Sequence, residues 1–192
     1  MNLEVGALIL AAGSSIRFGR QKLCEKLPSG TTVFDQTLHR IKLAVPIVKV
    51  VTSIEIYEAL HTQSLEFETF PLASSGMGVT LSYGIRQLKN TDACLVCLAD
   101  MPFIQTTTYR KLSTILTREN IVVPVFKGRQ GNPVGFGKSF FNELTQLNGD
   151  TGGRALLQHY SSVTHHVEVD DPAILYDIDT PADFAKYSGA NS

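Results

Sequence analysis

Little in this chain invites an extreme classification, and each scarcity removes a class of function. Among 192 residues the formal net charge is only −1 and charged residues make up 18%, so no basic surface advertises a nucleic acid partner. No apolar run approaches the ~18 residues that a membrane-spanning helix needs. The opening MNLEV has neither a charged leader region nor a cleavage motif, and a cytoplasmic location is expected. Cysteine is scarce: Cys24, Cys94 and Cys97. The last two form a CxxC inside an apolar run, where positions three apart on a strand face opposite sides, so buried core thiols are expected rather than a metal site or a bridge. The five histidines show no metal-binding spacing such as HExxH. Two nucleotide signatures are also missing. There is no Walker A sequence and no GxGxxG, which argues against a P-loop enzyme and a dinucleotide-binding oxidoreductase.

What is present is concentrated in LAAGSSIRFGRQK, residues 10–22. It follows VGALIL, a short apolar run that reads as a strand buried on both faces. Gly13, Ser14 and Ser15 then supply a backbone able to turn sharply and aim N–H groups at an anion. Arg17 suits a forked grip on phosphate oxygens, and Lys22 is a mobile point charge. Together they could hold a triphosphate, or form a strand-to-helix turn with two solvated cations. A second apolar run, CLVCLADMPFI (94–104), ends in Asp100, Met101 and Pro102. A carboxylate just past a buried strand sits where open α/β sheets bind ligands, and it suits a hard cation such as magnesium. It could equally cap the next helix.

Alternating apolar and amphipathic stretches predict strands at 5–10, 46–52, 66–70, 93–98, 120–126, 163–169 and 175–178. Helices are predicted at 31–44, 53–63, 77–89, 105–118, 138–147, 152–161 and 181–188. Such alternation predicts an α/β fold with a mainly parallel sheet. With no linker or repeat, one domain over 1–192 is expected, large enough to bury roughly 70% of its unfolded surface.

These motifs, with GRQGNPVGFG (128–137), GDTGGRALL (149–157) and DIDTPADF (177–184), occur in an order that resembles the molybdenum cofactor nucleotidyltransferase family, most of all its cytidylyltransferase branch. The resemblance runs from about Gly6 to Asp183. It implies a Rossmann-like layered sheet of the nucleotide-diphospho-sugar transferase type. It implies transfer of CMP from CTP to the phosphate of a molybdopterin-type acceptor, with the product passing to a molybdoenzyme or its chaperone. Backbone amides in the segment Leu10, Ala11, Ala12 and Gly13 would cover the triphosphate beside Arg17 and Lys22. Asp100 would hold Mg2+, and Asp179 matches the second metal-side position, although Asp179 or Thr180 could instead cap the helix that follows.

Gly78 and Thr80, at the start of a helix, would receive part of the nucleotide or simply form a loop and helix start. Family members often carry Ser where Thr80 stands. On the acceptor side, Asn132, before Pro133, could read a pterin edge or anchor its own loop. Asp150 is a cap or a ligand contact, and Arg154 is available for the acceptor phosphate. Ala12 favours the cytidylyl branch, since guanylyl relatives typically have glycine there. Phe18 stands where many members have Met, and residues 23–34 form a longer connection than usual, which bears on the acceptor. The alternatives are a GTP-using guanylyltransferase, a nucleotidyltransferase for another phosphorylated acceptor, and a nonenzymatic carrier of the cofactor. Lys22 and Asp100 argue against the carrier, which needs no cation and metal site on reacting phosphates.

Overall fold

The computed structural model describes residues 3–13, 18–60, 67–70, 76–150 and 152–190. Its first strand, β1 (Val5–Ala11), is buried almost throughout, as its unbroken apolar sequence requires. It pairs in parallel with β2 (Ile47–Thr52) on one side and β4 (Ala93–Leu98) on the other. The short β3 (Phe67–Thr69) extends the parallel run beyond β2.

Between these strands lie α1 (Val33–Lys42), α2 (Ile54–Leu60) and α3 (Met77–Arg86). The first begins at Thr32, whose hydroxyl accepts the Asp35 N–H at 3.0 Å, a standard N-cap arrangement. After β4 come α4 (Thr106–Ile115) and β5 (Ile121–Phe126).

The sheet then reverses. β6 (Arg129–Gln130) folds back on β5, and β7 (Val134–Gly137) runs antiparallel between β4 and β5. The short α5 (Phe141–Leu144) and α6 (Arg154–His159) lead to β8 (Thr164–Glu168), which is parallel to β5 on its far side. The chain ends on α7 (Pro181–Ala190). The eight-stranded sheet is therefore mixed but mostly parallel.

Its two faces carry separate cores. Ala7, Ile9 and Ala11 point into a layer with Phe34, Ile41, Tyr109 and Leu112 from α1 and α4. Leu8 and Leu10 point into the other layer, with Leu81 and Ile85 from α3. Cys97 belongs to the first core and Cys94 to the second. The period of two thus separates these thiols, and burial raises the pKa of both.

Three predicted elements differ. Residues 175–178 do not form a strand. A 3-10 turn over Pro172–Leu175, started by Asp171, whose side chain accepts the Ala173 N–H, takes the first of them, and residues 176–178 follow as irregular chain. The single helix expected over 138–147 is a 3-10 turn (Lys138–Phe140) followed by the one-turn α5. GRQGNPVGFG, placed in none of the predicted strands or helices, supplies β6 and β7. No helix among the described residues is long and apolar enough to cross a membrane.

Candidate active site

The carboxyl ends of β1 and β4 are held level by a hydrogen bond from the Ala99 N–H to the Leu10 carbonyl (3.2 Å). This presents Ala12, Gly13 and Asp100 at one edge of the sheet, the edge at which parallel α/β sheets bind ligands. A 3-10 turn at Lys22–Cys24 brings Lys22 to the same edge. Its Nζ donates to Asp100 Oδ2 at 2.6 Å and to Asp179 Oδ1 at 3.1 Å. The side chains are 10%, 17% and 27% exposed for Lys22, Asp100 and Asp179, so this cluster is screened far less than a surface pair.

Asp179 reaches the cluster through two local devices. The Ile178 N–H donates to the Asp100 carbonyl at 3.1 Å, tying the two segments together. Thr180 then caps α7: its Oγ1 accepts the Asp183 N–H at 3.1 Å, and Asp183 Oδ2 accepts the Thr180 N–H at 2.9 Å. Because Thr180 is the cap, the Asp179 carboxylate turns to Lys22.

Charge is crowded here. Burial works against the Lys22 ammonium, but Asp100 and Asp179 outweigh it and hold its pKa above the ordinary lysine value. Burial raises the Asp100 carboxyl above its ordinary value, Lys22 pulls it back, and the exposed Asp177 pushes it up again. Asp100 Oδ1 is buried and accepts no hydrogen bond from the described residues. A buried carboxylate oxygen without a donor, next to a second carboxylate, fits a divalent cation. Among the described residues no group of three or more His, Cys, Asp or Glu forms a metal cage. Two carboxylates alone fit a magnesium-like ion that keeps water and substrate oxygens as its other ligands.

The remaining predicted residues fall around this cluster. Leu10 and Ala11 bury their side chains in opposite cores and can offer a ligand only backbone. The Ala11 carbonyl is already bonded to Thr52 Oγ1 at 3.1 Å. Gly13 is exposed, and a Cβ there would meet nothing within 4 Å. Arg17 lies outside the described residues.

Gly78 and Thr80, at the start of α3, have their polar groups engaged within the protein. The Gly78 N–H donates to the Gly149 carbonyl at 2.8 Å, and Thr80 Oγ1 donates to the Gly76 carbonyl at 3.1 Å. Gly76 has φ of 120°, and a Cβ on it would lie 2.4 Å from the Gly149 carbonyl, so only glycine permits this approach. The start of α3 and Gly149 are thus in backbone contact, which no local pattern announced.

The pairing of Val134 with Val96 sets Asn132 and Pro133 at the carboxyl end of β4. Their peptide bond is cis. The Asn132 N–H donates to the Ile174 carbonyl at 2.9 Å, and Gly131 leaves room for that same carbonyl. Asp150 and Arg154 are both exposed, the latter at the first residue of α6. Sequence reasoning missed Asp171 and Asp177. Neither lies in a spacing that signals its contacts.

Fold and cluster together define a mixed α/β protein with a lysine held between two carboxylates at the carboxyl edge of its sheet. The MobA-like NTP transferase domain matches residues 7–166, and the chain belongs to that family of nucleotidyltransferases. The molybdenum cofactor cytidylyltransferase of Escherichia coli is 26% identical over 186 residues, 94% of this chain and 93% of that protein. A nucleotidyl transferase from Methanothermobacter superposes with a TM-score of 0.83 at 21% identity, covering 97% of each chain. Rv0371c of Mycobacterium tuberculosis, in complex with manganese, gives a TM-score of 0.82 at 20% identity, covering 97% of this chain and 99% of that one.

Proposed function

We propose that this enzyme transfers CMP from CTP to the phosphate of a molybdopterin-type acceptor in the cytoplasm, releasing pyrophosphate. The observation that carries the reading is Lys22 Nζ spanning Asp100 and Asp179 beside the loop that follows β1. An acceptor phosphate oxygen attacks the α-phosphorus, a new P–O bond forms, and the bond to the β-phosphate oxygen breaks. Such a transfer asks little covalent chemistry of the protein. Positioning and charge neutralisation account for most of the rate.

The raised pKa of Lys22 keeps it protonated through the neutral range, so it acts as a fixed positive charge and not as a base. Its role is to follow the charge that develops on the leaving pyrophosphate. Arg17 grips phosphate oxygens, while the backbone of Leu10, Ala11, Ala12 and Gly13 covers the triphosphate. Gly78 and Thr80 shape the nucleotide side, and Asn132, Pro133, Asp150 and Arg154 receive the acceptor. Asp100 and Asp179 would hold Mg2+. A bound divalent ion neutralises phosphoryl oxygens and makes the α-phosphorus more electrophilic. The orphaned Asp100 Oδ1 supports this assignment, and the manganese complex of the mycobacterial relative is in keeping with it.

Cytidine as the base is supported by Ala12 and by the named activity of the Escherichia coli relative. The test is to incubate pure protein with molybdopterin, Mg2+ and each of the four nucleoside triphosphates, then identify the product by mass. A cytosine dinucleotide is expected. Product from GTP alone, or from no triphosphate, overturns the reading.

A further inference from the structure

Asp171 is 2% exposed and lies outside the cluster described above. It nonetheless gathers hydrogen bonds from two separate parts of the chain. Its Oδ2 accepts the Gln105 N–H at 2.8 Å and the Thr108 hydroxyl at 2.7 Å, both at the start of α4. Its Oδ1 accepts the Ala173 N–H at 3.1 Å, within the 3-10 turn Pro172–Leu175. A buried carboxylate with both oxygens satisfied is a rigid joint, because loss of any partner would leave a polar group stranded in the core.

What the joint connects gives it meaning. Gln105, the N-cap of α4, follows Asp100 by five residues, and the Asp100 carbonyl accepts from Ile178. The 3-10 turn supplies the Ile174 carbonyl that holds the Asn132 N–H, and it runs on to Asp179, which meets Lys22. The acceptor loop and the second carboxylate therefore hang from one four-residue turn. Asp171 is the side chain that fastens this turn to the segment carrying Asp100.

We infer that Asp171 is a positioning residue: it sets the separation of Asp179 from Asp100 and seats the Asn132 loop, acting through those groups without touching substrate. This rests on the proposed roles of Asp100, Asp179 and Asn132. Residues that orient metal ligands from behind typically contribute 10- to 100-fold in affinity or activity. Asp171 acts through a turn rather than directly, which points to the lower end of that range.

The experiment compares wild type, Asp171→Asn and Asp171→Ala with Asn120→Ala, a variant that breaks a buried tether at the opposite edge of the sheet. Mn2+ affinity is read by electron paramagnetic resonance with nucleotide present. The turnover number and the KM for each substrate are measured alongside, and folding is followed by thermal unfolding. Asp171→Asn should weaken Mn2+ binding about tenfold, lower kcat by about the same factor and raise the acceptor KM, with the CTP KM little changed. Asp171→Ala should do more. Asn120→Ala should lower Tm comparably and move none of these.

If the Asp171 variants fail to fold, Thr108→Val removes a single bond and should shift Mn2+ affinity in the same direction by a smaller factor. Lower Tm with unchanged Mn2+ affinity and unchanged kcat makes Asp171 merely structural and overturns the inference. A wild-type protein that binds no Mn2+ overturns the metal site itself, and this inference falls with it.

Discussion

The sheet has an ion pair at each end, and they are built on opposite plans. At the amino edge, Asp92 accepts both the Glu4 N–H and Arg118, whose side chain is 60% exposed. Beside it, Asn120 accepts the Thr117 N–H at 2.8 Å and donates to the Ile115 carbonyl at 3.0 Å. Asp92 ties distant segments together and Asn120 closes a turn. At the carboxyl edge, Lys22, Asp100 and Asp179 are mostly buried, Asp177 adds like charge, and Asp100 Oδ1 has no donor among the described residues. An arrangement that gathers carboxylates around one lysine and leaves a buried oxygen unmatched is poor design for stability alone. The amino edge shows that the same chain can satisfy buried polar groups, so the mismatch within a charged cluster at the other end supports the proposed site.

Substitution can break this contrast. The largest effect is expected from Asp100→Asn, which keeps size and should leave the fold intact while turnover falls by about 100-fold or more, roughly 2.7 kcal/mol. Wild-type turnover at saturating Mg2+ would remove Asp100 from the machinery. Lys22→Ala should lower kcat about 30-fold, near 2 kcal/mol, with a smaller change in CTP affinity, because the charge acts on what develops during transfer. A rise in the CTP KM alone would make Lys22 a binding group only.

At the amino edge the outcome should reverse. Asn120→Ala leaves two backbone groups unpaired and should cost about 1–2 kcal/mol in denaturant unfolding with kcat unchanged. Any matching loss of turnover would erase the distinction between the two ends. Ala12→Gly should relax the CTP/GTP ratio of specificity constants by about tenfold, the scale of one methyl contact in a pocket. An unchanged ratio would leave Ala12 with no part in base choice.

The smallest effect concerns the cap of α7. The Thr180 hydroxyl bonded to Asp183 holds that carboxyl below its ordinary range. A depressed carboxyl stabilises the fold above the ordinary carboxyl pKa of about 4, and that contribution fades as pH falls through the lower folded value. Thr180→Ala should therefore cost about 1 kcal/mol at pH 7, and the gap from wild type should narrow in strong acid. A gap that stays constant from pH 7 to pH 3 would mean that the carboxylate charge contributes nothing.

The two regions were also unequally legible. β1 and β4 announce themselves because strands buried on both faces need unbroken apolar runs, and Lys22, Asp100 and Asp179 lie in motifs whose order resembles a known family. The strand expected at 175–178 yields to a turn because Pro172 lacks an N–H and Asp171 bonds the next one. β6 and β7 were hidden by glycine, Asn132 and Pro133, which read as loop until strands on either side pair with them. Asp171 was invisible for a different reason. Its three donors come from residues 105, 108 and 173, and only tertiary structure assembles them.

β7 runs against both of its neighbours. A strand so oriented delivers its beginning where β4 delivers its end, and Asn132 arrives beside Asp100 by way of a hairpin rather than a crossover. β7 itself is buried and paired on both sides, so the part left free to vary is the short break that precedes it. On the function proposed above, the break at residues 131–133 between β6 and β7 can be rewritten for a new acceptor while β1 and β4 keep their pairing. A lineage could thus change what receives the nucleotide without reinventing how the nucleotide is held.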